Sequence, residues 1–458
     1  MKRSRVPEIS RRQMLKATAA AAGLALLPAS QAFAHEALIF SDAKSSDPWR
    51  PSAEDEAFLD DLEHKACLFF WEQGSPNTGQ ILDRARNNLT GERDPRRMAS
   101  IASTGFGLTA LCIADHRGYF PHAQIVERVR TTLQWHLNSM PEVHGFFYHF
   151  TDIETGGRYR GSELSSVDTT ILLCGMLTAR AYFDDPQIQS LAQQIYERVD
   201  WPWMLNGGKA FSMGWKPNSG FLANRWDHYC ELMMIDLLAI GSPTHPVEPE
   251  VWDNFTRSKL DFAGYEFISG DDPLFTHQYS QAWFDFRGKR DAYADYFTNS
   301  ITATRAHKAF CLAHPKWYSE DYWGVTASDY AGGYIAWGGP PAMGPLDGTV
   351  VPSAAAGSLA FLPAECLSVL QAMRAKWGKL AWGRYGFVDA FHPTANWFDP
   401  DVLGIDQGIS VLMAENLRSG LVWNTFMRNR ESVSAMQRAG FHETISAKII
   451  RTGPESGL

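Results

Sequence analysis

Several features that would assign a chain to a broad class of protein are missing from this sequence. After residue 34 no run of 18 uninterrupted apolar residues occurs, so the sequence predicts no transmembrane helix there. Only six cysteines occur in 458 residues, and none forms a CxxC pair. No group of His and Cys residues has metal-site spacing. The sequence therefore predicts neither a disulfide scaffold nor a metal centre, and each cysteine is expected to be a small core residue.

Basic residues are also fewer than acidic residues. The chain has 42 Lys and Arg residues against 51 Asp and Glu residues, which gives a formal net charge of −9. The first 34 residues hold six basic residues and one acidic residue, so their removal would leave a net charge of −14. This balance disfavours nucleic acid, an anionic membrane surface or a polyanionic polysaccharide as a partner. A neutral ligand is expected.

The N-terminus has the pattern of an export signal. Arg11 and Arg12 precede a short Ala/Leu-rich run, Ala17–Leu27, and Ala32–Ala34 offers a small-x-small cleavage site. This pattern is typical of the twin-arginine route. Residues 1–34 are therefore predicted to be a removable signal peptide, and the mature protein is expected in the periplasm without a membrane anchor.

The rest of the chain is predominantly helical by its apolar periodicity. The periodic segments are roughly residues 55–73, 103–116, 122–139, 166–182, 185–199, 227–240, 278–286, 290–312, 363–376 and 407–428. No low-complexity linker divides them. They predict an all-α fold, an (α/α)6 toroid in which helical hairpins form a ring, with a two-layer helical solenoid as the alternative. We expect the ring to occupy residues 55–440, between an exposed segment, 35–54, and a C-terminal tail, 441–458.

Long loops rich in aromatic residues join the predicted helices, notably residues 141–162, 201–222 and 318–348. Long loops in a compact domain are usually functional. The chain has 16 Trp, many of them in loops, and a flat aromatic ring stacks well on the C–H face of a sugar. A single loop Trp more often fills the core. As a group, these residues favour a sugar-binding cleft.

Three acidic residues recur in one setting. Asp168, Glu231 and Asp406 each stand at or near the start of an apolar helical segment. Free N–H groups and the helix dipole stabilise carboxylates there, so each residue could serve as a helix cap and nothing more. A ring of helical hairpins, however, would gather several helix starts around one hole. Paired carboxylates in an aromatic-lined hole are what glycoside hydrolysis requires.

Eight motifs follow one another along the chain: Glu163–Thr169, Tyr229–Glu231, Gly241–Pro246, Ser300–His307, Gly324–Asp329, Asp347–Pro352, Tyr385–Phe391 and Gly404–Gly408. Together they resemble the glucoamylase-like domain family, which includes the bacterial β-1,2-glucanases of glycoside hydrolase family 144. The resemblance extends from about Phe69 to Trp423. Two positions depart from the family pattern, since Cys230 replaces an Asn and Leu417 replaces the commoner Tyr.

The resemblance implies an (α/α)6 toroid with a cleft across one end, and inverting hydrolysis of β-1,2-glucan without a metal or cofactor. Glu231 matches the family's leading catalytic glutamate, the general acid. Asp168 matches an acidic position important for activity, and Asp406 is a third candidate, for activating water. Further candidates, for substrate binding, are Glu163, Trp215, Trp226, Tyr229, Arg305, His307, Trp323, Asp329 and Trp397. An endo-acting monomer is expected.

Four alternatives stay open. Two share the chemistry: an exo-acting hydrolase that releases sophorose, and a transglucosylase that passes the sugar to another acceptor. A non-catalytic periplasmic glycan-binding protein is the third, although pure binding would not need all of Asp168, Glu231 and Asp406. A polysaccharide lyase is the fourth, and the negative charge disfavours it because lyases neutralise a uronate with basic residues.

Overall fold

The computed structural model describes residues 49–270, 273–340 and 346–444. The predicted signal peptide, and most of the predicted exposed segment and tail, lie outside these residues. The described helices, numbered in chain order, are α1 Ala53–Glu72, α2 Ile101–Arg117, α3 His122–Asn138, α4 Ser166–Tyr182, α5 Pro186–Glu197, α6 Trp201–Leu205, α7 Met233–Ile240, α8 Tyr279–Trp283, α9 Tyr296–Leu312, α10 Pro352–Ala356, α11 Pro363–Trp377, α12 Gly404–Arg418, α13 Leu421–Phe426 and α14 Arg430–Arg438.

The helices form an inner and an outer ring. Helices α2, α4, α7 and α12 are buried along most of their length, whereas α3, α5 and α14 bury a single face. Helix α2 packs between α4 and α12, α4 also packs on α7, and α12 also packs on α10. Hydrogen bonds continue the inner ring from α7 through α8 to α10, from Met234 N–H to Ser280 Oγ (3.2 Å) and from Gln278 Nε2 to Ala354 O (3.0 Å). This is the predicted (α/α)6 toroid.

Two glycines let the first pair of inner helices touch through their backbones. A Cβ atom on Gly105 of α2 would lie 2.3 Å from Ile171 O of α4, and a Cβ on Gly175 of α4 would lie 2.0 Å from Gly105 O. Both distances are far below van der Waals contact. Larger side chains here would therefore push α4 away from α2, together with the residues at its N-terminus.

Short strands lie in the loops that join or follow the helices. They are β1 Arg84–Arg86, β2 Met98–Ser100, β3 Glu142–Val143, β4 Phe146–Phe147, β5 Phe150–Asp152, β6 Leu164–Ser165, β7 Gly214–Lys216, β8 Gly220–Phe221, β9 Lys259–Phe262, β10 Tyr265–Ile268, β11 Lys289–Arg290, β12 Ala327–Tyr330, β13 Gly333–Ala336, β14 Trp382–Gly383, β15 Gly386–Phe387, β16 Phe391–His392, β17 Trp397–Phe398, β18 Asp401–Leu403 and β19 His442–Glu443. Strands β2, β6 and β18 run directly into α2, α4 and α12. Most form antiparallel pairs, and β6, β7 and β8 form a three-stranded sheet.

The structure departs from the sequence prediction in a few places. The segment predicted as one helix over residues 407–428 is two helices, because Gly420 adopts a left-handed conformation (φ 69°) between α12 and α13. Helices α6, α10 and α14 were not predicted. The folded region also continues past the predicted boundary at 440, since Phe441 is buried and β19 pairs with β11.

All six cysteines are buried and none forms a disulfide, as expected of small core residues. Within the described ranges, no helix combines the length and the apolar character needed to cross a membrane.

Candidate active site

Asp168 lies in the first turn of α4 but does not cap it. Ser165 is the N-cap: its Oγ accepts a hydrogen bond from Asp168 N–H (3.2 Å) and donates one to Asp168 Oδ2 (2.6 Å). The Asp168 side chain is buried, and among the described residues no donor reaches its Oδ1. A buried carboxylate oxygen that lacks a donor is costly, which points to a ligand or solvent partner rather than a capping role.

A histidine joins Asp168 to a second acid. The imidazole of His149 places Nδ1 3.3 Å from Glu163 Oε1 and Nε2 3.5 Å from Asp168 Oδ2. Lys216 Nζ lies 3.9 Å from the other oxygen of Glu163. Burial opposes ionisation of Glu163, but the hydrogen bond and charge of His149, together with Lys216, lower its pKa to about 2. Glu163 is therefore an ionised partner of His149 over the whole working pH range.

Glu231 stands two residues before α7 and is 4% exposed. Its backbone oxygen accepts a hydrogen bond from Ser280 Oγ (2.9 Å), which ties it to α8. Five residues earlier, Trp226 donates from Nε1 to Oγ of Ser166, the first residue of α4 (2.8 Å). The segment that carries Glu231 is thereby held against the helix start that carries Asp168.

A second acidic group surrounds the start of α12. Asp406 is buried in the first turn of this helix, next to Asp389. Burial, then the charge of Asp406, raise the pKa of Asp389 well above its usual value. The N–H of Asp329 donates to Asp389 Oδ2 (2.7 Å). Two adjacent buried carboxyls cannot both ionise readily, and the raised pKa of Asp389 makes it the member of the pair that keeps its proton.

The same group extends outwards to Asp399 and Arg84. Burial, followed by the charge of Asp329, raises the pKa of Asp399 to about 8. The guanidinium of Arg84 lies 2.6 Å from Asp329 Oδ2 and 3.1 Å from Asp83 Oδ2, and neutralises part of the charge. Protons on Asp389 and Asp399, whose pKa values are raised, lower the negative charge of the group further.

Among the residues that the structure describes, three of these carboxylates form the one cluster with the spacing of metal ligands. Oxygens of Asp329, Asp389 and Asp399 lie within 4.8 Å of one another. Oxygen donors suit a hard cation such as Ca²⁺. Here, however, Arg84 already pairs with Asp329, and raised pKa values keep protons on Asp389 and Asp399. The sequence search for metal ligands missed this cluster because its members come from separate segments. The available signal for Asp389 was its place in the motif Tyr385–Phe391.

Four other predicted residues lie beside Asp168 or beside the acidic group. Trp226 and Trp215 lie near Asp168, since Trp215 is half-buried in β7 and pairs with Leu164 of β6. Asp329 belongs to the acidic group around Asp406. Trp397 is half-buried in β17, which pairs with the strand that follows Asp389.

Four predicted residues have different surroundings. Tyr229, His307 and Trp323 have no exposed surface. The hydroxyl of Tyr229 contacts His277 Nδ1 (3.1 Å), and His307 Nε2 accepts from Val325 N–H (3.0 Å). These side chains pack the core and support the loops, so they are left out of the proposed site. Arg305 is exposed on the outer helix α9 and is left out as well.

Comparisons with known proteins agree with this architecture. A family model described as "Putative glucoamylase" matches residues 223–430, and a model of the twin-arginine translocation signal matches residues 8–28. An exo β-1,2-glucooligosaccharide sophorohydrolase (non-reducing end) from Parabacteroides distasonis is 28% identical over an alignment of 431 positions that covers 84% of this chain. The match spans 58% of that relative's length.

Solved structures match over nearly their whole length. A protein from Bacteroides uniformis with the same description as the family model superposes with a TM-score of 0.79 at 28% identity, covering 86% of this chain and 99% of its own. The endo-β-1,2-glucanase from Chitinophaga pinensis, solved with sophorotriose and glucose, superposes with a TM-score of 0.78 at 27% identity and the same coverage. An endo-β-1,2-glucanase from Talaromyces funiculosus shares the fold at 12% identity (TM-score 0.62, 88% of this chain and 94% of its own). The chain is thus similar to the glucoamylase-like family: residues 223–430 match its family model, and the fold is that of these solved structures.

Proposed function

We propose that this protein is an inverting glycoside hydrolase that cleaves β-1,2-glucan, with Glu231 as its general acid. One observation carries the proposal: the Trp226–Ser166 hydrogen bond holds the Glu231 segment against the start of α4, where Asp168 is buried with an oxygen that lacks a donor. Two similar proteins, from Parabacteroides distasonis and Chitinophaga pinensis, act on β-1,2-linked glucose chains.

The chemistry needs two carboxyl groups in opposite protonation states. A protonated acid gives its proton to the glycosidic oxygen as the bond to the anomeric carbon breaks. A carboxylate on the other face of the sugar removes a proton from the attacking water. Burial disfavours the charged form of a carboxyl group, which suits the largely buried Glu231 to the role of proton donor.

Two residues are candidates for the base. Asp168 is held by Ser165 on one oxygen, and its other oxygen is buried with no described donor. Asp406 lies in the acidic group at the start of α12, where its charge helps to raise the pKa of Asp389. We keep both candidates, because each is buried at the end of the ring where the inner helices begin.

We propose endo cleavage, with sophorose release from a chain end as the second candidate because the similar Parabacteroides distasonis protein acts in that way. Cyclic β-1,2-glucan separates the two, since it has no chain end. An endo enzyme should open the ring and give mixed oligosaccharides, whereas an exo enzyme should leave it intact and release sophorose from linear glucan. A β-1,3-glucan serves as the linkage control. Absence of hydrolysis on both β-1,2-glucans would overturn the proposed function.

The acid is tested by Glu231→Gln, which keeps the size of the side chain and its hydrogen-bonding capacity but cannot release a proton. General acid assistance is worth about 10²–10⁴-fold, so kcat should fall by that order with the fold intact. A substrate with an activated leaving group needs less protonation and should restore much of the rate. Hydrolysis of natural glucan by this variant at the wild-type rate would exclude Glu231.

We also propose that export delivers the protein to the periplasm. The twin-arginine signal at residues 8–28 supports it. Replacing Arg11 and Arg12 together with Lys should leave the precursor in the cytoplasm, as judged by fractionation. A normal yield of mature protein outside the inner membrane would argue for another route.

A further inference from the structure

His149 occupies an unusual position between the two acids nearest the start of α4. Its two ring nitrogens face different carboxylates, with Glu163 Oε1 3.3 Å from Nδ1 and Asp168 Oδ2 3.5 Å from Nε2. The ring is held in this plane because it stacks on Phe150, with 3.8 Å between centroids and 20° between planes.

The backbone fixes His149 as firmly as the side-chain contacts do. Its N–H donates to Glu163 O (2.9 Å), and its carbonyl accepts from the N–H of Ile101, the first residue of α2 (3.2 Å). His149 therefore connects the starts of two inner helices, α2 and α4. Its backbone cannot shift without disturbing the helix start that carries Asp168.

The charges around the ring decide its protonation state. Glu163 faces it from the turn before β6, Asp168 faces it from α4, and Lys216 of β7 lies beyond Glu163. A carboxylate is an acceptor only, so each ring nitrogen can satisfy its partner only by carrying a hydrogen. An imidazolium meets both demands at once, whereas a neutral imidazole meets one.

We propose that His149 is a positioning residue that, as an imidazolium, clamps Asp168 between itself and Ser165. The clamp occupies Oδ2 of Asp168 and leaves Oδ1, which has no described donor, to accept a hydrogen bond from the attacking water or from a sugar hydroxyl. This rests on the proposed function. Glu163 is the counter-ion that keeps the clamp charged.

A first test needs no activity. NMR of the full mature protein with labelled histidine, assigned by loss of the signal in His149→Gln, should show both ring nitrogens of His149 protonated at neutral pH. In Glu163→Gln the ring should lose its proton at a lower pH than in the wild type. A neutral His149 in the folded wild-type protein overturns the proposal.

A second test uses kinetics on linear β-1,2-glucan. Misplacing a reacting group by about 1 Å costs up to about 10²-fold, so His149→Gln should lower kcat by about 10- to 100-fold with little change in KM. His144→Gln is the matched control, because His144 lies in the same loop but pairs with Asp200 and stacks on Trp203. Its kcat should stay at the wild-type value.

The outcomes separate the two proposals. An inactive wild-type protein refutes the proposed function and leaves the NMR measurement to decide the clamp. An active wild type with an equally active His149→Gln overturns the clamp alone. If His149→Gln does not fold, as shown by circular dichroism, Glu163→Gln takes its place: it should lower kcat while the control does not, and an unchanged kcat overturns the proposal.

Discussion

The indole Nε1 of Trp226 donates a 2.8 Å hydrogen bond to Ser166 Oγ, which itself donates to the carbonyl of Ser212 (2.8 Å). Ser166 is the first residue of α4, and Trp226 precedes Glu231 by five residues. The contact thus joins the two chain segments that carry the proposed acid and one candidate base. A general acid and base act together only if their separation is fixed, so this link should matter for catalysis more than for folding.

Trp226→Phe tests this link. The variant keeps an aromatic ring but loses the hydrogen bond, which should cost about 1 kcal/mol of stability. We expect kcat to fall by about tenfold or more, because Glu231 loses its fixed distance from Asp168. Trp252→Phe is the matched control, since its buried indole donates a 2.8 Å hydrogen bond to Asp291 elsewhere in the fold. It should lose similar stability, measured by chemical denaturation, and keep its kcat; equal kcat losses in both variants would argue against the link.

Azide should identify the base. Asp168→Asn and Asp406→Asn should both be strongly impaired, since each removes a buried carboxylate from the proposed site. In the variant that lacks the base, azide can attack the sugar without losing a proton, so it should restore turnover and give a glycosyl azide of inverted configuration. Product analysis by mass spectrometry and NMR detects this compound. Rescue of neither variant would mean that the base is a different residue.

Much of the fold follows from apolar periodicity, but the site does so only in part. The long inner helices α2 and α4 were predictable because nearly every residue along them is buried. Helix α10 is five residues long and begins at Pro352, too short for a periodic signal. The segment before α7 was predicted to be helical from residue 227, but α7 begins only at Met233. The residues before it follow Trp226, whose indole is held by its hydrogen bond to Ser166.

Site residues were predictable where one local motif held them. Glu163 and Asp168 share such a motif, whereas His149, which lies between them in space, sits in a different loop. Asp329 and Asp399 interact although they belong to different hairpins, Asp329 in β12 and Asp399 directly after β17. Tyr229 and Trp226 are aromatic residues of one segment, so the sequence does not distinguish them. Their contacts do: Trp226 donates to Ser166 at the start of α4, whereas Tyr229 contacts the buried His277.

Removal of metal ions should leave hydrolysis unchanged. Arg84 pairs with Asp329, and protons held by Asp389 and Asp399 lower the negative charge of the acidic group, so we expect it to fold without a cation. Activity on β-1,2-glucan after dialysis against a strong chelator should match that of untreated enzyme, and the melting temperature should not move. A loss of activity that added Ca²⁺ reverses, together with a Ca²⁺-dependent rise in melting temperature that Asp399→Asn abolishes, would identify Asp329, Asp389 and Asp399 as a cation site.

The acidic group should also make stability depend on pH. In the folded protein Asp399 keeps its proton up to a pKa of about 8, because it is buried and faces Asp329. In the unfolded chain an aspartate loses its proton near pH 4. Between these values the folded state binds the extra proton, so the free energy of unfolding falls as pH rises, by at most about 1.4 kcal/mol per pH unit.

Asp399→Asn is permanently neutral, so its curve of unfolding free energy against pH should be flatter across this window and should lie above that of the wild type most clearly near pH 8. Urea unfolding at several pH values measures the difference, with the exposed Asp261→Asn as the control. Parallel curves for Asp399→Asn and the wild type would mean that Asp399 is ionised in the folded protein.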